Sequence, residues 1–158
     1  MNEIICFHNP NEENGWLSNW YPSPFTVEGV AFSSMEQYMM YKKAVTFGDF
    51  DMAQKILTEK DVAKVKQYGR QIANYDDVVW NGIRQVIVYR GLLAKFFQNQ
   101  ELGRKLKETG EVVLAECAVH DKIWGIGLSM QDTNRFDMQK WNGQNLLGFA
   151  LMQVRGQI

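Results

Sequence analysis

The chain has 158 residues, of which 46% are hydrophobic and 22% are charged, and its formal net charge is -1. This length and composition predict one soluble globular domain and exclude a disordered or fibrous protein. The balanced charge excludes a protein that grips duplex nucleic acid through its phosphates, but it leaves open a single nucleotide or a flipped base as ligand.

The N-terminal segment MNEIICFHNP lacks the basic start and apolar stretch of a signal peptide, and no apolar run is long enough to cross a bilayer. We therefore expect a cytoplasmic protein that does not bind membranes. Cys6 and Cys117 stand far apart, outside any CxxC pair or metal-ligand spacing. They are expected to be reduced and buried, and neither a metal site nor a cofactor is implied.

Local patterns predict the elements in chain order. A short strand covers Ile4 to Phe7, and an irregular segment rich in proline and tryptophan follows it. Two short strands then flank a Glu28-Gly29 turn, and Ser33 or Ser34 caps the first helix. The remaining elements are a strand over 111–117 and helices over 49–58, 61–68, 76–97, 101–109 and 145–154. Helices outnumber strands without β-α-β alternation, so the fold class is α+β, mostly helical.

The longest predicted helix, from Asp76 to about Phe97, carries one apolar stripe that an arginine interrupts. The stripe consists of Val79, Ile83, Val86, Arg90, Leu93 and Phe97. Beside it lie Trp80, Arg84, Ile87, Gly91 and Lys95. Trp80 with Arg84 and Arg90 could stack a base and hold a phosphate, or could be a core tryptophan beside two surface arginines.

Glu36 and Lys43 share the methionine face of the first helix, because a spacing of seven residues is about two turns, or ~10 Å. Ser33 and Glu36 also match a capping box, in which the glutamate only bonds back to the helix start. A buried lysine on the same face has no such local explanation. A cleft that uses both charges explains them together.

The segment His120-Asp121-Lys122-Ile123-Trp124-Gly125-Ile126-Gly127 follows the predicted strand over 111–117. Asp121 is either a turn residue or an acid at the edge of a pocket, with Trp124 as its wall and Gly125 as a point of close ligand approach. Two glycines are too few for a dinucleotide fingerprint. Neither histidine has a serine or cysteine in the context of an activated nucleophile, which argues against a Ser-His-Asp hydrolase.

Five segments in this order resemble the NADAR domain, the YbiA-like family of N-glycosidases. They are GWLSNWYPSPFTVEGVAFSSMEQYMMYKKAVTFGD, YGRQI, VVWNGIRQVIVYRGLLAKFFQN, LKETGEVVLAECAVHDKIWGIGL and WNGQNLLGFALMQVR. The resemblance covers about residues 7–155, essentially the whole chain. It implies a single domain over residues 1–158, built mostly of helices around a small sheet.

The resemblance also implies hydrolysis of an N-glycosidic bond between ribose and a base. The family's substrates are phosphoribosylamino-pyrimidine intermediates of riboflavin synthesis and, in other branches, ADP-ribose attached to guanine of nucleic acid. The positions that match the family's functional residues are Asn19, Glu36, Lys43, Trp80, Asp121 and Trp124. With Arg84 and Gly125 added from the residue patterns above, we expect Glu36 and Asp121 to be catalytic. The expected substrate-binding residues are Asn19, Lys43, Trp80, Arg84, Trp124 and Gly125. The pair Val119-His120 departs from the residues that many members carry before the aspartate.

Two functions from different classes follow. One is an enzyme that hydrolyses a small phosphoribosylated pyrimidine, with Glu36 as the carboxylate that positions water and stabilises the oxocarbenium-like state. The other is a module that binds ADP-ribose or NAD, or that removes ADP-ribose from guanine. In the first, Asp121 assists the leaving base or holds ribose hydroxyls, the two tryptophans stack the ring, and Lys43 with Arg84 meets phosphate.

Overall fold

The computed structural model describes residues 3–158. Backbone contacts group the chain into two compact units. One, which we call the sheet unit, comprises the residues up to Tyr21 together with Gln100–Ile158, and the other, the helical unit, comprises Pro22–Asn99. The single domain expected over residues 1–158 stays a prediction.

The sheet unit is built on two parallel strands, β1 (Ile4–Phe7) and β4 (Val113–Glu116), in which Cys6 lies opposite Ala115. Helix α5 (Gln100–Glu108) precedes β4, and helix α6 (Leu146–Arg155) packs against it. The fully buried Asn145 ties the start of α6 to this strand: its Nδ2 donates to the Leu114 carbonyl at 2.9 Å, and its Oδ1 accepts from the Glu116 amide at 3.0 Å. Both cysteines are free and buried, as predicted.

The helical unit contains an antiparallel hairpin and four helices. Its elements are β2 (Phe25–Val27), β3 (Val30–Phe32), α1 (Met35–Thr46), α2 (Phe50–Thr58), α3 (Val62–Gly69) and α4 (Asp77–Gln98). Helix α1 is the centre of this unit, because it packs against the other three helices. The predicted α+β, mostly helical architecture is confirmed.

Three aspartates begin three helices of this unit, as expected for N-cap residues. Asp49, Asp61 and Asp76 each accept a hydrogen bond from a backbone amide two or three residues later, at 2.9 to 3.1 Å. Each bond satisfies an amide that the helix itself leaves without a partner. The predicted starts of α2, α3 and α4 are therefore right to within a residue.

The start of α1 differs from the predicted capping box. Ser34 is the N-cap, and its Oγ accepts from the Gln37 amide at 3.2 Å. The Gln37 side chain reaches back to the Ser33 amide at 2.8 Å. The interpretation of Glu36 as the capping-box residue is therefore wrong, since Gln37 is the third helical residue and Glu36 only the second.

The buried side of α4 is the flanking row and not the apolar stripe. Trp80 is 6% exposed and Ile87 7%, whereas Val86 is 58% exposed. Gly91 accounts for this choice: a Cβ there would overlap the ring of Tyr38 on α1. Because the glycine lets α4 approach α1 on that side, the helix buries the flanking row and leaves the apolar stripe at the surface.

Candidate functional site

Helix α1 holds a carboxylate and an ammonium on one buried face of the helical unit. Glu36 is only 5% exposed, and Lys43 is half-buried. Burial lowers the pKa of Lys43, and the carboxylates of Glu36 and Asp77 only partly oppose that effect. The two charges therefore interact electrostatically, and their partial burial screens this interaction less than water would at the surface.

The Lys43 ammonium is surrounded by a carbonyl and two aromatic rings. Its Nζ donates to the Gly69 carbonyl at 2.8 Å, and it lies 4.7 Å from the ring centre of Tyr75 and 5.7 Å from that of Trp80. A Cβ on Gly69 would overlap the Met40 side chain. The glycine therefore lets the end of α3 come close enough to α1 for its carbonyl to reach the lysine.

Trp80 and Arg84 lie one turn apart on the side of α4 that is buried in the helical unit. Trp80 is almost fully buried and Arg84 is half-buried. Burial and the Asp77 carboxylate raise the pKa of Tyr75, while the Arg84 guanidinium opposes that rise. Arg84 is thus part of the same electrostatic group as Tyr75 and Lys43. The structure brings together four predicted site residues of this unit: Glu36, Lys43, Trp80 and Arg84.

Tyr75 belongs to this group, but sequence reasoning missed it. It lies in the turn between α3 and α4, immediately before the cap Asp76, and its ring packs edge-on against Phe47 at 5.3 Å. Its side chain is 42% exposed although it contacts the half-buried Lys43. The one signal in the sequence is an aromatic residue in an otherwise polar turn, ANYDD, which has no amphipathic period to justify it.

Asp121, Trp124 and Gly125 form a tight turn in the sheet unit. One carboxylate oxygen of Asp121 accepts from the amides of Ile123 at 3.0 Å and of Trp124 at 2.9 Å. A Cβ on Gly125 would come within 2.8 Å of the Asp121 carbonyl and 3.0 Å of the Glu116 carbonyl. The turn alone accounts for the aspartate and the glycine, so their roles in binding and catalysis stay predictions.

Asn19 occupies a different position in the sheet unit. It is 8% exposed, and its Oδ1 is buried without a hydrogen-bond partner among residues 3–158. A buried amide oxygen without a partner is destabilising unless a ligand or water donates to it. This observation is consistent with the predicted substrate contact.

Residues 3–158 were also searched for metal-ligand clusters and for membrane-spanning helices. Over residues 3–158, no three or more His, Cys, Asp and Glu side chains are grouped so that they could hold a metal ion. Over the same range, no helix is both long and apolar enough to cross a membrane.

Comparison with known proteins gives a match to one family over nearly the full length. The model of the NADAR domain matches residues 6–158. An N-glycosidase of Acanthamoeba polyphaga mimivirus is 37% identical over 97% of this chain and 95% of its own length. A riboflavin biosynthesis protein of Vibrio vulnificus is 31% identical over the whole chain, which spans 39% of that longer protein.

A solved structure agrees with these sequence matches. The NMR structure of the Escherichia coli protein YbiA superposes with a TM-score of 0.81 at 26% identity, covering 99% of this chain and 84% of YbiA. That protein carries the name N-glycosidase. With the family model, a close full-length relative and the fold in agreement, the chain belongs to the NADAR domain family.

Proposed function

We propose that this protein is an N-glycosidase that hydrolyses the C–N bond between a ribose phosphate and a base, with a phosphoribosylamino-pyrimidine as substrate and the cytoplasm as its location. The observation that carries this proposal is the buried Glu36 carboxylate on the same helix face as the Lys43 ammonium and its two rings. The names of the relatives, N-glycosidase and riboflavin biosynthesis protein, support the reaction type and the substrate class.

The reaction needs negative charge on one side of the sugar. As the C–N bond breaks, its electron pair leaves with the base nitrogen and positive charge develops on the ribose ring. A carboxylate stabilises that charge and accepts a proton from the attacking water, whose oxygen forms the new bond to the ribose carbon. Glu36 suits this role because its side chain is buried and because Gln37, not Glu36, occupies the capping-box position of α1.

Lys43 and Arg84 are proposed to bind the phosphate, and Trp80 to contact the flat base. A cation whose ammonium is already desolvated loses little further hydration when an anion binds, so the interaction is stronger than at an exposed lysine. The planar guanidinium of Arg84 can bind two phosphate oxygens at once. Asp121 is proposed to assist the departing base or to hold ribose hydroxyls, Trp124 to stack the ring, and Asn19 and Gly125 to contact substrate.

The decisive experiment offers the purified protein two substrates in separate reactions. One is a phosphoribosylamino-pyrimidine, and the other is an oligonucleotide that carries ADP-ribose on guanine. Mass spectrometry of the first reaction is expected to show free base and ribose phosphate accumulating with time. Turnover of the ADP-ribosylated guanine alone would replace the proposed substrate class, and binding of both compounds without turnover would reject the enzyme.

A further inference from the structure

Tyr75 is the exposed member of the three groups in contact with the Lys43 ammonium. The other two are the Gly69 carbonyl, at the end of α3, and the Trp80 ring, and both of these residues are buried. The Tyr75 ring is the nearer of the two rings, with its centre 4.7 Å from the ammonium nitrogen. Tyr75 therefore forms the outer edge of the group around the lysine.

These contacts restrain the ammonium without neutralising it. A free lysine is a flexible, strongly hydrated charge, and the face of an aromatic ring within about 6 Å attracts it. Neither a ring nor a carbonyl carries a net charge, whereas a carboxylate in contact would cancel the charge of the lysine. The carboxylates of Glu36 and Asp77 favour the protonated form of Lys43 against the effect of burial on its pKa. The lysine is thus held in place by neutral groups, which suits the binding of an anion.

The backbone on both sides of Tyr75 is fixed. Asp49 accepts an amide in the first turn of α2 with Oδ1 at 3.1 Å, and its Oδ2 accepts the Ala73 amide at 2.9 Å. One carboxylate therefore holds the start of α2 and the connection between α3 and α4. Asn74 has a φ of 62°, a left-handed conformation that asparagine tolerates better than most residues. Asp76 then begins α4 as its N-cap.

The Tyr75 side chain is also held at both ends. Its ring packs edge-on against Phe47, the residue that ends α1 one turn after Lys43. Its hydroxyl hydrogen-bonds to the Asp77 carboxylate, and this bond together with burial raises the pKa of Tyr75. The hydroxyl is therefore used by Asp77, while the ring is the part of the side chain that contacts the ammonium.

We propose that Tyr75 is a positioning residue for phosphate recognition: its ring holds the Lys43 ammonium where a phosphate binds, and Asp49 fixes the segment that carries the ring. The inference rests on the proposed function, in which Lys43 binds the phosphate of the substrate. A phenyl ring can replace the tyrosine ring in this role, and an aliphatic side chain cannot. Because the role concerns binding and not bond cleavage, it affects KM and not kcat.

Two variants of Tyr75 test this role with a phosphorylated substrate and with its dephosphorylated form. Tyr75→Leu is expected to raise KM for the phosphorylated substrate roughly fivefold, the effect of losing one cation–π contact, with kcat unchanged. Tyr75→Phe is expected to keep the wild-type KM. The KM for the dephosphorylated form should be the same in all three proteins. A loss of kcat for both substrates would instead identify a structural residue and overturn the proposal.

Asp49→Asn tests the support behind the ring. Asparagine has one acceptor oxygen, which is enough to cap α2 but not to bind the Ala73 amide as well. This variant is expected to raise KM for the phosphorylated substrate about twofold and to leave the melting temperature close to that of the wild type. Asp61→Asn, at the N-cap of α3, is the matched control and should leave KM unchanged. A wild-type KM in Asp49→Asn would remove Asp49 from the proposal.

Calorimetric titration with ribose 5-phosphate separates this inference from a failure of the proposed function, because it requires no turnover. The wild type and Tyr75→Phe are expected to bind equally, and Tyr75→Leu about fivefold more weakly. That result supports the role of Tyr75 even in a protein that hydrolyses neither candidate substrate. Wild-type affinity in Tyr75→Leu, an equal loss in Tyr75→Phe, or a wild type that does not bind ribose 5-phosphate would each overturn it.

Discussion

At the scale of single residues, local hydrogen bonds in the backbone explain some of the predicted site residues better than others. Gln37, not Glu36, completes the cap of α1, and one Asp121 oxygen accepts the amides of its own turn. Glu36 is therefore not the capping-box residue, and Lys43 is held by a carbonyl and two rings. The site hypothesis is stronger for the pair on α1 than for the turn in the sheet unit.

Substituting Glu36 by glutamine is expected to remove activity without unfolding the protein. Glutamine keeps the shape of the side chain but cannot act as a carboxylate base, so turnover at saturating substrate is expected to fall by ~10²–10⁴. The melting temperature should change little. Glu28→Gln, at an exposed carboxylate of the β2–β3 turn, is the matched control and should retain full turnover. A fully active Glu36→Gln protein would contradict the mechanism.

Lys43→Met is expected to slow hydrolysis of a phosphorylated substrate far more than hydrolysis of its dephosphorylated form, because the lost ammonium is proposed to bind the phosphate. The values of kcat/KM for the two forms measure this difference. Lys42→Met is the control, since the neighbouring lysine binds Glu28 at 3.3 Å on another face of the helix. If kcat/KM falls equally for both substrates in Lys43→Met, the lysine does not bind phosphate.

Trp124 provides a test in the sheet unit. If it stacks the base, Trp124→Ala should weaken substrate binding by ~1–3 kcal/mol, and Trp124→Phe should keep much of that affinity. Calorimetric titration with a substrate analogue that the enzyme cannot hydrolyse measures the affinity of both variants. An equal loss in the two variants, in step with a loss of folded protein, would identify a structural tryptophan.

At the scale of elements, α4 buries the side that can pack closely against α1 and not the side that is most apolar. Gly91 permits contact with Tyr38, and Lys95 is carried into the interior on the same side. The apolar stripe then stays at the surface. The orientation of α4 thus accounts both for the burial of Trp80 and for the exposure of the apolar stripe.

Two glycines of α4 should respond oppositely to alanine. At Gly82 a Cβ meets no atom within 4 Å, so Gly82→Ala should stabilise the fold by up to ~1 kcal/mol through helix propensity. At Gly91 the new methyl group would overlap the buried Tyr38 ring, so Gly91→Ala should be destabilising by ~1–3 kcal/mol despite the same gain in propensity. Urea unfolding of both variants measures the difference. A stable Gly91→Ala protein would mean that α4 does not press against α1 there.

At the scale of the whole molecule, a fully buried cation links stability to pH. Lys95 is 0% exposed, and burial lowers its pKa to about 7. In the unfolded chain the same amine titrates near 10.5. Between these two pH values the unfolded state binds more protons than the folded state, so the free energy of unfolding increases as the pH rises.

The pH dependence predicts a specific difference between variants. The wild type should gain stability from pH 7 to pH 9, by on the order of 1 kcal/mol per pH unit from this lysine. Lys95→Met should have a flatter profile, because it removes the group that titrates. Lys64→Met, at an exposed lysine of α3, should keep the wild-type slope. Denaturant melts at each pH provide the measurement, and identical slopes in all three proteins would refute the link.

Local sequence patterns are sufficient to predict the helices and their starts, because N-caps such as Asp49 and Asp76 bond to amides only two or three residues away. They also predict that Glu36 and Lys43 share a face, which follows from the helical repeat alone. The side of α4 that is buried could not be predicted in this way, since it depends on the contact of Gly91 with Tyr38 on another helix. Only the tertiary structure supplied Tyr75 and the Gly69 carbonyl around Lys43. Contacts between residues that are distant in the chain produce no periodic pattern in the sequence. For that reason the surroundings of Glu36 and Lys43 could not be predicted from local patterns.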